Sequence, residues 1–350
     1  VNGRDSLIDP DGKPFLSLGV NHNQKVFQGA GALRGDHRQA CEDILQKLTY
    51  WGYNTGGYGT PEPLCRMLPS FAPMYLTKNA NYMSDEQFEY CDVFDPVVQQ
   101  KMREVIQYEI GKQAGNSTLI GYYWTDTPQW DLERARKKRG TDWVSMVREL
   151  PAGAPGKMRY EQFLADGGHS DEAFLRLIAR ELYKVIGEET RRLAPDVLIF
   201  GERYLAHSHP DWVIEEALPY IDVLSIQPGG VQFEAAYFDR MHAKFKKPIL
   251  VCDHQNSFPT PVYPKTMWQQ LESEEAVGVA YEQYLNDAFE KSYILGYQRC
   301  QYIDRYADGP GMLKQGIVRE DGTAYKTLTQ AFRQANLQAL ERFQLHCKSK

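Results

Sequence analysis

Eight short apolar runs, each closed by polar residues, set the limits on what this 350-residue chain can fold into. They fall at residues 14–21, 53–58, 71–76, 119–124, 197–201, 221–226, 248–252 and 293–302. Each is long enough for one buried strand and too short for a helix. Between them lie stretches with helical spacing, such as 37–51 through Ala40, Ile44, Leu45 and Leu48. Asp95-Pro96 predicts a capped helix start, Asp171 a second, and 273–291 and 327–343 two late helices. Strands alternating with helices, roughly 35 to 50 residues apart, predict a parallel (β/α)8 barrel of the TIM type. The whole of 1–350 reads as one barrel domain, preceded by an entry hairpin (about 1–14) turning at Pro10-Asp11-Gly12-Lys13. Residues 131–170 read as an irregular insertion, rich in charge, Gly and Pro, and so as a lid or cleft wall.

Active sites in such barrels lie at the C-terminal ends of the strands. The fourth run shows the pattern best: Leu119 to Trp124 is apolar and aromatic, then Thr125, Asp126, Thr127 and Pro128 end it. Across the strand ends stand His22, Asn23, Asp126, Glu202, Arg203, Gln227, Asp253, His254, Gln301 and Asp304. Three of these are carboxylates on the fourth, fifth and seventh strands. Hydrolysis of a glycosidic bond uses two carboxyl groups, one to protonate the leaving oxygen and one to attack or activate water. Trp124, Trp130, Tyr58, Tyr204 and Trp268 offer stacking faces for sugar rings.

Other chemistries find less support. A net charge of −6 argues against a nucleic-acid partner, which calls for a basic face. The run Arg134–Arg139 (RARKKR) reads as a solvated helix face. Neither a GxGxxG after the first strand nor a GxxxxGK[ST] is present, and no cofactor is implied. The six cysteines show no CxxC pair and no metal-ligand spacing, and the pair His207 and His209 has no third ligand nearby in sequence, so no metal is assigned. No apolar run reaches membrane-spanning length. The start lacks a basic, apolar leader, a weak indication in a sequence open to trimming.

The motifs SLGVNHN, WGYNTGGYG, CDVFDP, LIGYYWTDTPQW, LIFGERY, KKPILVCDHQNSF and LKQGIV, taken in order, resemble clan A glycoside hydrolases, above all family 42 β-galactosidases and family 50 β-agarases. The resemblance runs from Ser6 to about Phe332. In that clan the fourth strand ends in Asn-Glu, the Glu being the acid/base, and the seventh in a Glu nucleophile. Here Asp126 falls on the Asn position, Thr127 on the acid/base Glu, and Asp253 on the nucleophile. The usual Glu pair is therefore replaced at both places.

Two readings compete. In one, the chemistry is rebuilt on Asp126 as general acid and Asp253 as base or nucleophile, with Glu202 in reserve. Two shorter side chains tend to stand further apart, leaving room for a water and favouring inversion. In the other, the cleft binds carbohydrate without cutting it. A metal-dependent hydrolase or isomerase is disfavoured by the missing ligand clusters. The resemblance implies a galactose-containing substrate of agar, porphyran or carrageenan type. A polysaccharide substrate would favour a periplasmic or secreted protein, and exposed aromatics leave a homo-oligomer open. Arg203 reads either as the neutralising partner of Glu202 or as a bidentate site for a substrate anion. Asp304 and Asp308 read rather as turn residues.

Overall fold

The computed structural model describes residues 1–27, 37–76, 90–266, 269–304, 314 and 316–348. Trp268 and Asp308 lie outside the described residues. The entry hairpin pairs β1 (Leu7–Ile8) with β2 (Pro14–Phe15) in antiparallel fashion. Asp9 closes its turn, its carboxylate accepting from the backbone N–H groups of Asp11 and Lys13.

The barrel strands are β3 (Ser17–Val20), β4 (Thr55–Gly56), β5 (Ser70–Pro73), β6 (Leu119–Asp126), β7 (Leu198–Leu205), β8 (Leu224–Gln227), β9 (Ile249–His254) and β12 (Ile294–Arg299). They close in the order β12-β3-β4-β5-β6-β7-β8-β9, which is the expected (β/α)8 barrel. Two small strands, β10 (Asn256–Ser257) and β11 (Gln269–Gln270), pair with each other outside it. Strands two and three, at two and four residues, are shorter than their apolar runs.

Helices follow the strands: α1 (His37–Tyr50), α2 (Glu62–Cys65), α3 (Pro96–Lys112), α4 (Leu132–Arg139), α5 (Trp143–Glu149), α6 (Pro155–Ala165), α7 (Asp171–Leu193), α8 (Asp211–Ala217), α9 (Ala235–Phe245), α10 (Glu274–Glu290) and α11 (Lys326–Lys348). Asp95 caps α3 as expected, accepting from Val97 N. The cap of α7 is Ser170, one residue before the expected Asp171, which occupies the first turn instead. There its negative charge suits the helix dipole. The inner face of α7 repeats Phe174, Leu175, Ile178, Leu182, Val185 and Ile186, all buried, at the three-and-four spacing of an amphipathic helix.

The insertion at 131–170 departs most from expectation: it holds α4, α5 and α6 rather than irregular chain. Buried Asp142 organises it. One of its oxygens accepts from the N–H groups of Val144 and Ser145, and the other from Arg136 Nε at 2.6 Å. Arg136 and Arg148 both pair with Asp171, tying the insertion to the start of α7. The basic run lies on α4 with Arg134, Arg136, Lys137 and Lys138 exposed, the solvated face expected of it.

By density of contact the chain forms two compact units, one of 1–72, 116–120 and 225–350, the other of 73–115 and 121–224. No helix among the described residues is long and apolar enough to cross a membrane.

Candidate active site

In the first unit the polar strand ends gather around Asp253, near the end of β9. Its backbone takes a left-handed conformation (φ +58°), as does that of His22, also at φ +58°. Asp and His are among the few side chains that tolerate that region. Asn21, directly after β3, donates from Nδ2 to Asp253 Oδ1 at 2.6 Å. Its own Oδ1 accepts from Tyr58 N at 2.9 Å, so one amide ties the carboxylate to the loop after β4. Gly57 makes room for this: a Cβ there would lie 1.8 Å from Asn21 Oδ1. His22 Nε2 is 3.6 Å from Asp253 Oδ1, and Tyr58 meets the His22 ring edge-on at 5.6 Å.

His254 is buried rather than presented to a ligand. Its Nε2 lies 3.0 Å from the Gly230 carbonyl, which can only accept, so that nitrogen carries the proton. Nδ1 then accepts from the Tyr297 hydroxyl at 2.8 Å. Burial holds the ring neutral, pushing its pKa down to about 3. Asn23 is buried too, its amide donating to the Val20 carbonyl and so pinning the loop after β3. Gln301 is buried and donates to the Ile303 carbonyl. Asp304 is no simple turn residue, as one oxygen accepts from Gly316 N and Lys314 Nζ and the other from the Tyr325 hydroxyl. Four side chains assigned to substrate therefore hold backbone or core. Gln227 ends β8 half-buried.

In the second unit, Asp126 ends β6 with its side chain 48% exposed. Buried Arg203 of β7 is its register partner, and its Nη2 lies 2.5 Å from Asp126 Oδ1. Arg203 thus pairs with the carboxylate across the strands and not with neighbouring Glu202, since side chains opposite one another in paired strands share a face and consecutive ones do not. Thr127, at the position the clan gives to its acid/base, donates its hydroxyl to the Arg203 carbonyl at 2.8 Å.

Glu202 is buried, 1% exposed. Desolvation raises its pKa to about 8, partly offset by the Tyr183 hydroxyl and the Trp130 indole N–H, and reinforced by the Asp126 charge. It is a protonated carboxyl at neutral pH, away from solvent. Burial pushes the Tyr204 hydroxyl well up.

Trp124 and Trp130 do not offer stacking faces, because both are buried in the packing against α7. Trp124 stacks on Tyr183 at 5.9 Å and donates from Nε1 to Thr190 Oγ1 at 3.2 Å. Trp130 meets Trp143 edge-on at 4.9 Å, under the insertion. Tyr204 is likewise buried, beside His209.

Two residues absent from the sequence assignment join the site. Asn21 stood beside two polar neighbours at a strand end, a signal the sequence did carry. Cys300, directly after β12, is buried, and its sulfur, Asp253 and His22 place ligand atoms within 4.8 Å of one another. His207 and His209 belong to no such group among the described residues.

The fold is a closed (β/α)8 barrel, and it is shared with several solved structures. An exo-β-agarase aligns with a TM-score of 0.82 at 15% identity, over 97% of this chain and 64% of that one. An agarase aligns at 0.79 and 16%, over 98% and 62%. A GH2 β-galacturonidase from Eisenbergiella tayi aligns at 0.56 and 13%, over 93% and 52%. The chain thus spans less than two thirds of each of these. No family model and no curated protein matches it.

Proposed function

We propose that the protein is a glycoside hydrolase acting on a galactose-containing poly- or oligosaccharide of agar, porphyran or carrageenan type. Asp126 serves as general acid and Asp253 as base or nucleophile. The observation that carries this reading is that both carboxylates stand at C-terminal strand ends of a closed barrel, each oriented by its own donor: Arg203 for Asp126 and Asn21 for Asp253. Carboxyl groups at the strand ends of such a barrel are what the chemistry of glycoside cleavage uses. The agarase likeness in fold supports the choice of substrate class. Glu202 holds a proton but lies beneath Trp130 and Tyr183, which supports a reserve role over direct attack on substrate. His22, at the rim of Asp253, is the sugar-binding neighbour, and buried Tyr58 backs its ring edge-on instead of offering a stacking face.

One observation favours a second reading, a barrel that binds carbohydrate without cutting it. The Thr127 hydroxyl, at the usual acid/base position, is tied to backbone, and the Asp126 carboxylate is engaged by a guanidinium. Proton NMR of the chain with a panel of galactans separates the two. Cleavage that disappears in Asp126→Asn and in Asp253→Asn supports the hydrolase, and the first anomer to appear distinguishes inversion from retention. Binding without cleavage by the wild type supports the silent barrel.

A further inference from the structure

We propose that His22, Asp253 and Cys300 form a binding site for a single divalent cation of the zinc class. The three residues stand at the C-terminal ends of β3, β9 and β12, three neighbouring strands of the barrel. An imidazole nitrogen, a carboxylate oxygen and a thiol sulfur converge there within 4.8 Å of one another. Tetrahedral zinc, with bonds of about 2.0–2.3 Å, sets neighbouring donor atoms roughly 3.3–3.6 Å apart. His22 Nε2 and Asp253 Oδ1 already stand 3.6 Å apart.

The donor set chooses the ion. Calcium and magnesium take oxygen ligands, whereas a mixed nitrogen, oxygen and sulfur set suits zinc and its softer neighbours. Ligating carboxylates are themselves held by hydrogen bonds in metal sites, and Asn21 Nδ2 holds Asp253 in this way at 2.6 Å. Burial grades across the site: the side chains of His22 and Asp253 are 16% and 12% exposed, and Cys300 is 4% exposed. An ion therefore enters past His22 and Asp253 and meets the sulfur last. Three protein donors leave a fourth position for water or a sugar hydroxyl.

The site stands independently of the glycosidase reading but bears on it. A cation on Asp253 occupies the lone pair that the base or nucleophile uses, so the loaded chain does not cut substrate. Zinc and hydrolysis compete for one carboxylate.

The test is a titration of the chelator-treated full chain with Co²⁺, followed by absorption and then displaced with Zn²⁺. One equivalent should bring up the thiolate-to-cobalt charge-transfer band. Cys300→Ser should lose the band, and His22→Asn, which keeps a residue tolerant of the left-handed backbone, should bind at least about tenfold more weakly. Thermal melts of the metal-free variants establish that they fold. Absence of the band in the wild type, or its persistence in Cys300→Ser, overturns the site. In parallel, Zn²⁺ should stop galactan cleavage by the wild type, and a chelator should restore it. Failure of the metal-free wild type to cleave any galactan would count against the hydrolase and leave the cobalt result standing.

Discussion

Glu202→Gln should stabilise the protein, and by more as the pH rises. In the folded chain burial lifts Glu202 from an ordinary 4.5 to about 8. Between those values the unfolded chain has released this proton and the folded chain retains it. Proton binding to the folded state alone means that stability declines with rising pH, by about 1.4 kcal/mol per pH unit at full slope. The stabilising effect of the protonated carboxyl is complete below the ordinary carboxyl range and is lost as pH climbs through 8. By pH 7 the accumulated loss is on the order of 3 kcal/mol. Glutamine has nearly the same shape and no charge to release, so it removes the slope. Its amide adds an offset of its own, which does not vary with pH. The assay is urea denaturation of wild type and variant at pH 5, 6, 7 and 8. The expected result is a stability difference that moves in favour of the variant across that series. A difference that stays flat, or moves in favour of wild type, refutes the assignment of a buried, protonated Glu202.

Asp126→Asn and Asp253→Asn should each lower galactan cleavage by at least about a hundredfold while leaving the melting profile near wild type, as read by anomeric proton signals and circular dichroism. Gly57→Ala should displace Asn21, whose oxygen lies 1.8 Å from the new Cβ, and with it the support of Asp253; loss of activity with a lowered melting temperature is the expected outcome. Trp130→Ala should destabilise the chain by about 3–5 kcal/mol, as a large buried aromatic does, and the measurement is urea denaturation. A Trp130→Phe variant that folds and keeps its affinity for galactan would match a packing role, whereas a selective loss of affinity would restore a sugar-stacking one.

The barrel was legible because its rhythm is local: each apolar run ends where polar residues begin, and the helical spacing between runs is read directly. The strand ends were legible for the same reason, and Asp126, Asp253 and His22 stand at them. Which way a side chain turns was much less so. Between Tyr122 and Tyr123, β6 advances one residue while β7 advances two, from Ile199 to Gly201. Such a bulge breaks the alternation that a sequence reading relies on, and here Glu202 comes to lie with Tyr183 and Trp130. Aromatics beside a carboxylate look alike on paper whether they stack on a sugar or on a helix, and Trp124 does the latter. The insertion helices did leave a trace, in Asp131 and Asp142 as N-caps, but the Gly and Pro between them masked it. Cys300 gave no local sign at all, since its companions lie on two other strands.

The left-handed backbone at Asp253 gives the short acid there a structural reason. That conformation favours Asp and Asn over longer and branched side chains. Exchange between the two therefore switches a carboxylate on or off with little disturbance to the chain around it. Lengthening to Glu asks the backbone to turn as well. At this strand end the carboxylate is one easy substitution from absence in either direction, while a longer acid requires the loop to be rebuilt.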